Sequence, residues 1–290
     1  EIKPEFLDTI GVSAYEKDFM AHRELVFAKA ASPQVSVQEK EFVGEMFLRG
    51  GFSVTALNNY LECPWKYFYM NLLHLPKAPE RHQLYGTAVH AALRDFFDSF
   101  KTRVPTKEFL LTKFSYYAAR EPFAAKDHEE MLARGLKALG GYYDWYAGTW
   151  QTNVLTEFNI SGIMLTPEIR LTGKIDKIEF LDDAKTVNVV DYKTGKPKCR
   201  NVIEGATKGS DGNTKRQLIF YNLLLNAYEN GKYRMASGDI DFIEPTEASR
   251  YKKERFTVTA GQDPALEEQI KKTAGETLNL PFCALREMMK

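Results

Sequence analysis

Two aspartates and a lysine in the middle of the chain have the types and spacing of a hydrolytic metal site. Asp191 and Lys193 lie two residues apart in the run 186–193, whose alternating valines are typical of a β-strand. Side chains two positions apart share one face of a strand, so the carboxylate and the amine should point the same way, about 6.5–7 Å apart. Asp176 lies in the preceding run, 169–180, which alternates similarly. Two carboxylates and an amine at one point could hold a divalent cation and promote hydrolysis of a phosphodiester.

The two runs are predicted to form a β-hairpin whose register brings the aspartates together. Residues 182–185 suit a short turn closed by Leu181 and Thr186. The same register places Asp176 opposite Asp191, with Cβ atoms about 4.5–5.5 Å apart. Like charges at that distance destabilise a sheet unless a cation lies between them. A shift of the register by one residue would put the two carboxylates on opposite faces of the sheet. The alternative interpretation is that both aspartates are charges at strand ends that face solvent.

Apolar periodicity predicts helices and strands around this hairpin. Ser53 or Thr55 has the chemistry of a helix N-cap, and the run 86–97 carries a helical apolar stripe with His90 at its edge. Such a histidine, judged on this pattern alone, is a hydrogen-bonded core residue. The aromatic run 65–70 is also assigned to the core. Helices are predicted at 53–61, 86–97, within 107–150, at 215–225 and at 263–278, and further strands at 154–161, 239–243 and 255–259.

Two features between these elements remain open on pattern alone. Glu157, in the predicted strand 154–161, is an outlying acid that could join the site. The segment 194–214 is a long predicted loop, which is usually functional or mobile. From Lys193 to Arg216 the chain has seven basic residues and two acidic ones. That basic strip could hold a polyanion, and a solvated loop accounts for it equally well.

The composition excludes few classes of function, but the cysteine content indicates the kind of cellular compartment. The chain has 290 residues, 44% of them hydrophobic, and its 39 basic and 39 acidic residues give a formal net charge of zero. Three cysteines, Cys63, Cys199 and Cys283, show no paired spacing, which predicts no disulfide framework, a reducing compartment and a cytoplasmic location. No signal peptide or membrane-length apolar run is present. The chain begins without methionine, so a piece of a longer protein is expected.

Several short motifs occur in a specific order along residues 51–285. They are Ser53-x-Thr-x-Leu-x-x-Tyr60 with Cys63-Pro-Trp-Lys-Tyr-Phe-Tyr69, then Gly86-Thr-Ala-Val-His90, Gly173-Lys-Ile-Asp176, Val190-Asp-Tyr-Lys-Thr-Gly195, and Gln217-x-x-x-Tyr221. In this order the set resembles the RecB-family nuclease domain of the PD-(D/E)XK superfamily, as found at the C-terminus of UvrD-like helicase–nucleases. Each motif alone is weak, and the ordered set is specific.

The resemblance implies a fold and a set of site residues. The fold is α/β, with a mixed central β-sheet flanked by helices and an added helical N-terminal region. Residues 1–50 would be an N-terminal helical arm or linker, and 51–290 the nuclease domain. The implied metal ligands are His90, Asp176, Asp191 and the backbone carbonyl of Tyr192, and Lys193 would steady the attacking water. The implied substrate-binding residues are Gln217 and Tyr221, to which the basic strip adds Lys196, Lys215 and Arg216.

The same resemblance implies a function and its partners. The expected activity is hydrolysis of DNA with Mg²⁺ or Mn²⁺, by an exonuclease in preference to an endonuclease, on a single-stranded end or an unwound strand. The expected partner is a helicase domain, in cis or in trans, in DNA repair or recombination, with no membrane. No iron–sulfur cluster is expected, because only Cys283 lies near the C-terminus where relatives with a cluster have three cysteines. A catalytically silent DNA-binding scaffold and a stand-alone exonuclease are the alternatives.

Overall fold

The structure is built on one mixed five-stranded β-sheet. The computed structural model describes residues 40–182, 185–257 and 264–279. The strands are adjacent in chain order, and neighbouring pairs are antiparallel except β3 and β4, which are parallel. Their bounds are β1 Val154–Thr166, β2 Ile169–Phe180, β3 Thr186–Lys193, β4 Arg234–Phe242 and β5 Lys252–Thr257. Helices fill the crossover between the parallel strands, because a tight turn cannot join such a pair.

Helices cover both faces of this sheet. In chain order they are α1 Lys40–Arg49, α2 Val54–Glu62, α3 Pro64–Tyr67 with a π-helix over Phe68–Leu72, α4 Arg81–Ser99, α5 Lys107–Ala118, α6 Ala125–Tyr146, α7 Arg200–Ile203, α8 Asn213–Ala227 and α9 Pro264–Asn279. The predicted α/β fold, with a mixed sheet flanked by helices, is confirmed. In the described part of the chain, no helix has both the length and the apolar character that a membrane crossing requires.

The two faces of the sheet bury separate apolar cores. One core joins α1, α2, α8 and α9 to strand residues such as Val189. The other joins α4, α5 and α6 to the opposite face, where Val190 lies. Phe97 of α4 is fully buried in this second core, as its apolar stripe predicts. Helices α4 and α8 are therefore fixed on opposite faces of the strands that carry Asp176 and Asp191.

Element boundaries agree with the sequence pattern where capping residues mark them and differ elsewhere. Ser53 caps α2 as predicted, and its Oγ accepts a hydrogen bond from Ala56 N at 3.2 Å. Helix α4 begins at Arg81, earlier than predicted, because Glu80 and Gln83 form a capping box there. Strands β4 and β5 also begin earlier than predicted, and residues 258 and 259 of the second predicted strand lie outside the described residues.

Three other expectations are refined by the structure. Helix α7 lies inside the predicted loop 194–214. In the aromatic run 65–70, Tyr67 and Phe68 are buried as predicted, whereas Tyr69 is 41% exposed. Helix α1 belongs to the predicted N-terminal helical region, and its Val43 is part of the core. The rest of that region, residues 1–39, lies outside the described residues, and a domain division after residue 50 stays a prediction.

Candidate active site

The hairpin of β2 and β3 has the predicted register. The ladder pairs Lys177 with Val190. The ladder ends at this pair, and Asp176 and Asp191 are the next residues along β2 and β3. The backbone N–H of Tyr192 donates a hydrogen bond to Asp176 Oδ2 at 2.9 Å, which ties the ends of the two strands together. The two carboxylates are therefore brought to one point of the sheet, as the sequence predicts.

The alternation of β2 is interrupted next to Asp176. Ile175 and Ile178 both belong to the core on the α8 face, while Lys177 between them lies over an aromatic ring of α4. On the neighbouring strand, Glu157 has a φ of 51°, a left-handed conformation that non-glycine residues rarely adopt. The prediction of strict alternation is wrong here, because Ile175 and Ile178, three residues apart, bury their side chains in the same core. Strained backbone of this kind is frequent at functional sites.

His90 of α4 contacts the first of the two carboxylates. Its Nδ1 lies 3.3 Å from Asp176 Oδ1. Burial lowers the pKa of His90, but the hydrogen bond and the charge of Asp176 outweigh burial and leave that pKa raised. Burial raises the pKa of Asp176, but His90 and the Tyr192 amide outweigh it and leave that pKa lowered. The histidine that periodicity alone assigns to the core thus lies beside the predicted site.

The second carboxylate, Asp191, is buried beside Lys193. It is only 1% exposed, and Lys193 Nζ lies 2.7 Å from its Oδ2. Lys193 Nζ and Asp191 Oδ2 form an ion pair whose geometry is not that of a hydrogen bond. Among the described residues, none donates a hydrogen bond to this oxygen. Burial raises the pKa of Asp191, which stays raised because the charge of Asp176 adds to burial against the effect of Lys193. The pKa values of the two acids are thus pushed apart, as happens when two carboxylates share a site.

Lys193 is held by a chain of hydrogen bonds through α8. Its Nζ donates to Gln217 Oε1 at 2.9 Å, and Gln217 Nε2 donates to the Tyr221 hydroxyl at 2.7 Å. The Tyr221 hydroxyl donates in turn to the backbone carbonyl of Lys174 on β2 at 3.0 Å. Tyr221 is 3% exposed, so its described contacts position Gln217 and Lys193. Contact of Gln217 or Tyr221 with a substrate stays a prediction.

Three side chains beside Asp191 offer ligand atoms that could hold a metal ion. One ligand atom each from His90, Glu157 and Asp176 lie within 4.8 Å of one another. Carboxylate oxygens with one imidazole suit Mg²⁺ or Mn²⁺. Asp191 Oδ2, buried and 2.7 Å from Lys193 Nζ, is a further oxygen that could contact a cation. The residues present therefore fit a divalent cation. A ligand role for the Tyr192 carbonyl stays a prediction.

Glu157 belongs to this group for a reason that the sequence does not reveal. Its acidic side chain inside a predicted strand is visible in the sequence, but its approach to His90 and Asp176 follows from the pairing of β1 with β2, which sets Glu157 level with Asp176. An isolated glutamate in a strand is otherwise most often turned to solvent. Sequence reasoning therefore marks this residue only as an outlying acid.

Three basic residues predicted to bind substrate, Lys196, Lys215 and Arg216, line surface depressions that do not include the candidate metal ligands. Lys215 Nζ donates to Glu204 Oε1 at 3.1 Å, and Arg216 Nη1 donates to Asn58 Oδ1 at 2.6 Å. Lys215 and Arg216 both line a depression between α8 and α9. Lys196 lines a different depression, beside Pro197. The three residues do not form one patch with the carboxylates, and their part in substrate binding stays a prediction.

A layer of buried polar side chains supports the two strands on the α4 face. Lys177 and Glu179 are both buried, and Lys177 Nζ lies 2.8 Å from Glu179 Oε1. Asn188 Nδ2 donates to Glu179 Oε2 at 2.8 Å and to Asp239 Oδ2 at 3.0 Å. At the edge of this layer, Arg255, whose side chain is 60% exposed, donates two hydrogen bonds of 2.7 Å to the buried Asp239. Buried charges that are paired in this way persist only in a well-defined geometry.

Comparison with known proteins identifies the class of protein that this fold and site define. Residues 51–287 match the PD-(D/E)XK nuclease superfamily, and the chain belongs to that superfamily. Among solved structures, it is similar to the crystal structure of SSO0001, with 16% identity, a TM-score of 0.31 and coverage of 82% of this chain and 87% of that one. A proposed exonuclease from Eubacterium rectale is similar with 9% identity, a TM-score of 0.40 and coverage of 90% and 86%. No curated protein matches the sequence.

The superfamily assignment rests on the match over residues 51–287. The two solved structures have identities and TM-scores too low to add to it. The mixed sheet flanked by helices agrees with the α/β fold of this superfamily. Its members are nucleases that use divalent metals, and the acidic and histidine cluster of this chain agrees with that chemistry.

Proposed function

We propose that this chain is a divalent-metal-dependent deoxyribonuclease. The observation that carries the proposal is the grouping of His90, Glu157 and Asp176 within 4.8 Å, beside the buried pair of Asp191 and Lys193. Four possible ligands from a helix and three strands, together with an ammonium group, are more than a structural ion pair requires. Membership of the nuclease superfamily supports the same conclusion.

Each residue of the site has a role in this reaction. His90, Glu157, Asp176, Asp191 and the Tyr192 carbonyl are the residues that would hold the cation. When bound, the cation would lower the pKa of a water molecule and neutralise charge on the scissile phosphate.

The ammonium of Lys193 would assist the transfer itself. Held by Gln217, it would donate a hydrogen bond to the attacking water or to the phosphoryl oxygens as their charge increases. The oxygen of the water bonds to phosphorus, the bond to the leaving oxygen breaks, and that oxygen takes up a proton. The attacking water releases its own proton to solvent.

The ordered motifs support a narrower assignment to the RecB family. On this proposal the chain is the nuclease domain of a helicase–nuclease, or acts with a helicase in trans, in DNA repair or recombination. It would act as an exonuclease on a single-stranded end or an unwound strand, with Mg²⁺ or Mn²⁺. A cytoplasmic location is proposed from the three cysteines without disulfide spacing.

A nuclease assay on linear single- and double-stranded DNA tests this function. We expect cleavage with Mg²⁺ or Mn²⁺, none with EDTA, and a loss of about 10²-fold or more in Lys193→Ala, because one charge-stabilising donor is removed. Lys101→Ala is the matched control, since Lys101 pairs with Asp98 at the surface. An exonuclease would release mononucleotides or short products from labelled ends. An endonuclease would also cut circular DNA, which has no ends.

Two outcomes of this assay would contradict the mechanism. Cleavage that survives EDTA would exclude a metal-dependent reaction. Cleavage that is equal in Lys193→Ala and wild type would remove the proposed role of the ammonium. DNA binding without cleavage under either metal would favour the alternative of a silent scaffold module.

Replacement of Glu157 by glutamine tests which residues hold the cation. We expect the affinity for Mn²⁺ to fall by roughly 10- to 100-fold, because a charged ligand becomes a neutral amide. Isothermal titration of the protein with Mn²⁺, in the absence of DNA, measures this affinity.

The control for this substitution is Glu168→Gln, whose carboxylate lies in the turn between β1 and β2 and accepts from Thr166 Oγ1. It should bind Mn²⁺ as the wild type does. An unchanged affinity in Glu157→Gln would limit the ligands to His90, Asp176, Asp191 and the Tyr192 carbonyl.

A further inference from the structure

A cleft opens beside the candidate metal ligands, between α4 and the strands β1 and β2. Its volume is about 390 Å³. Its lining includes Arg94 and Lys174 as well as His90, Glu157 and Asp176. The cleft therefore continues away from Asp191 along the helix, and it contains two basic residues, Arg94 and Lys174, to which the sequence analysis assigns no role.

One wall of the cleft is a polar stripe on α4. Gln83, Thr87, His90 and Arg94 follow one another at spacings of three or four residues, so they share one face of the helix. Two small residues of the helix, Gly86 and Ala91, also line the cleft. A Cβ at Gly86 would lie 3.3 Å from Thr194 Oγ1, the residue after Lys193, so the helix passes close to the end of β3.

Arg94 is held in place on this wall by its neighbours. Its Nε and Nη2 donate to Asp95 Oδ1 at 3.1 and 2.8 Å, and Nη2 also donates to the Tyr117 hydroxyl at 2.7 Å. Asp95 is also paired with Lys113 at 2.9 Å. Two cations thus share one carboxylate, and this cluster keeps a net positive charge at the edge of the cleft. A guanidinium positioned in advance loses little entropy when it binds a phosphate.

Lys174 faces Arg94 from the β2 side of the cleft. Its Nζ is in contact with the carboxylate of Glu157, and its side chain is 59% exposed. The cleft therefore holds two cations and two carboxylates in addition to His90. A divalent cation bound by Glu157 and Asp176 would make this balance positive and release Lys174 from Glu157. The ammonium could then turn to an anion in the cleft.

We propose that this cleft binds the phosphodiester next to the one being cut, through Arg94 and Lys174, and that metal binding at Glu157 makes Lys174 available for it. The proposal rests on the proposed nuclease function, and it names the part of the chain that holds the DNA strand. It also couples the two ligands. Metal should raise the affinity for DNA, and DNA should raise the affinity for metal by the same factor.

Binding of fluorescein-labelled single-stranded oligodeoxythymidine, measured by fluorescence anisotropy in the Lys193→Ala background, where cleavage should be slow, tests this proposal. With Mg²⁺, we expect Arg94→Gln and Lys174→Gln each to weaken binding roughly three- to tenfold and to reduce the slope of log K against log salt by about 0.7, as for one lost phosphate contact. Without Mg²⁺, Lys174→Gln should have much less effect than Arg94→Gln.

Two control variants and the pattern of outcomes keep this test specific. Arg81→Gln changes a surface arginine of the same helix that pairs with Asp127, and Lys101→Gln changes a surface lysine beyond the end of α4. Both should bind DNA like their parent. If Arg94→Gln and Lys174→Gln bind like these controls, the cleft assignment is overturned whether or not the wild type cleaves DNA. If they weaken binding while the wild type never cleaves, the nuclease proposal fails and the cleft assignment stands.

Discussion

Replacing Asp191 with asparagine should reduce DNA cleavage more than about 10³-fold and leave the protein folded. The substitution keeps the shape of the side chain and removes the buried oxygen charge that Oδ2 offers to a cation. Without this carboxylate the site would bind the cation less well and would stabilise less of the charge on the phosphate, which should raise the activation free energy by several kcal/mol. Each 1.4 kcal/mol of activation free energy is about tenfold in rate. Single-turnover cleavage of end-labelled DNA measures the loss.

The same substitution should not lower stability. Burial and the charge of Asp176 raise the pKa of Asp191 despite the nearby ammonium of Lys193, so the ionised carboxylate is less favourable in the folded protein than in water. Asparagine removes this repulsion, and the urea midpoint should stay the same or rise.

Asp144→Asn is the matched control, because Asp144 pairs with Lys107 between the surfaces of α5 and α6. It should cleave DNA as the wild type does. Cleavage by Asp191→Asn within tenfold of the wild type would mean that this carboxylate is not part of the reaction.

Replacing Lys177 with methionine should destabilise the protein by about 3–5 kcal/mol, because it leaves the buried carboxylate of Glu179 without its cation. Lys177 Nζ lies 2.8 Å from Glu179 Oε1 and 3.8 Å from the centroid of the Phe97 ring. Methionine has a similar length and preserves packing, so the loss is mainly electrostatic. Chemical denaturation followed by circular dichroism measures the free energy of unfolding.

The pH dependence gives this prediction a second readout. Burial raises the pKa of Glu179, but Lys177 and Asn188 outweigh burial and leave it lowered in the folded protein. This contribution to stability is present above the ordinary pKa of a glutamate and is lost as pH falls through the lowered value. Without Lys177 the carboxyl can be protonated on folding, so the deficit of Lys177→Met should shrink at acidic pH.

Two further variants separate a lost charge from a lost side chain. Lys177→Met combined with Glu179→Gln should recover part of the stability, since no unpaired charge is left buried. Lys137→Met, at an exposed position of α6, should unfold like the wild type. A deficit in Lys177→Met below about 1 kcal/mol would show that the pair contributes little to the free energy of unfolding.

The hairpin was predictable because its register is set by local chemistry. Alternating valines, a polar turn and a fixed loop length leave one arrangement in which both strands bury their apolar residues. That arrangement brings Asp176 across from Asp191 without any knowledge of the remaining fold. Capping residues make the start of α2 predictable for the same reason, since Ser53 acts on a backbone group three residues away.

The partners of this hairpin were not predictable from periodicity. His90 is 86 positions before Asp176, and only the packing of α4 on the sheet brings Nδ1 to 3.3 Å from its carboxylate. A resemblance to known motifs suggested that meeting, whereas the apolar stripe assigned the residue to the core. The basic strip from Lys193 to Arg216 is contiguous in sequence, but helix α8 and its neighbours separate its side chains into different depressions.

By itself, the sequence determined the strands, most of the helices and the convergence of Asp176, Asp191 and Lys193, because these depend on side-chain alternation and turn length between near neighbours. Only the tertiary structure decided that Glu157 joins His90 and Asp176, and that Arg94 and Lys174 line the cleft beside them. Those meetings depend on the register of β1 against β2 and on the position of α4 over the sheet. Both are fixed by packing between segments far apart in the chain, which no local pattern encodes.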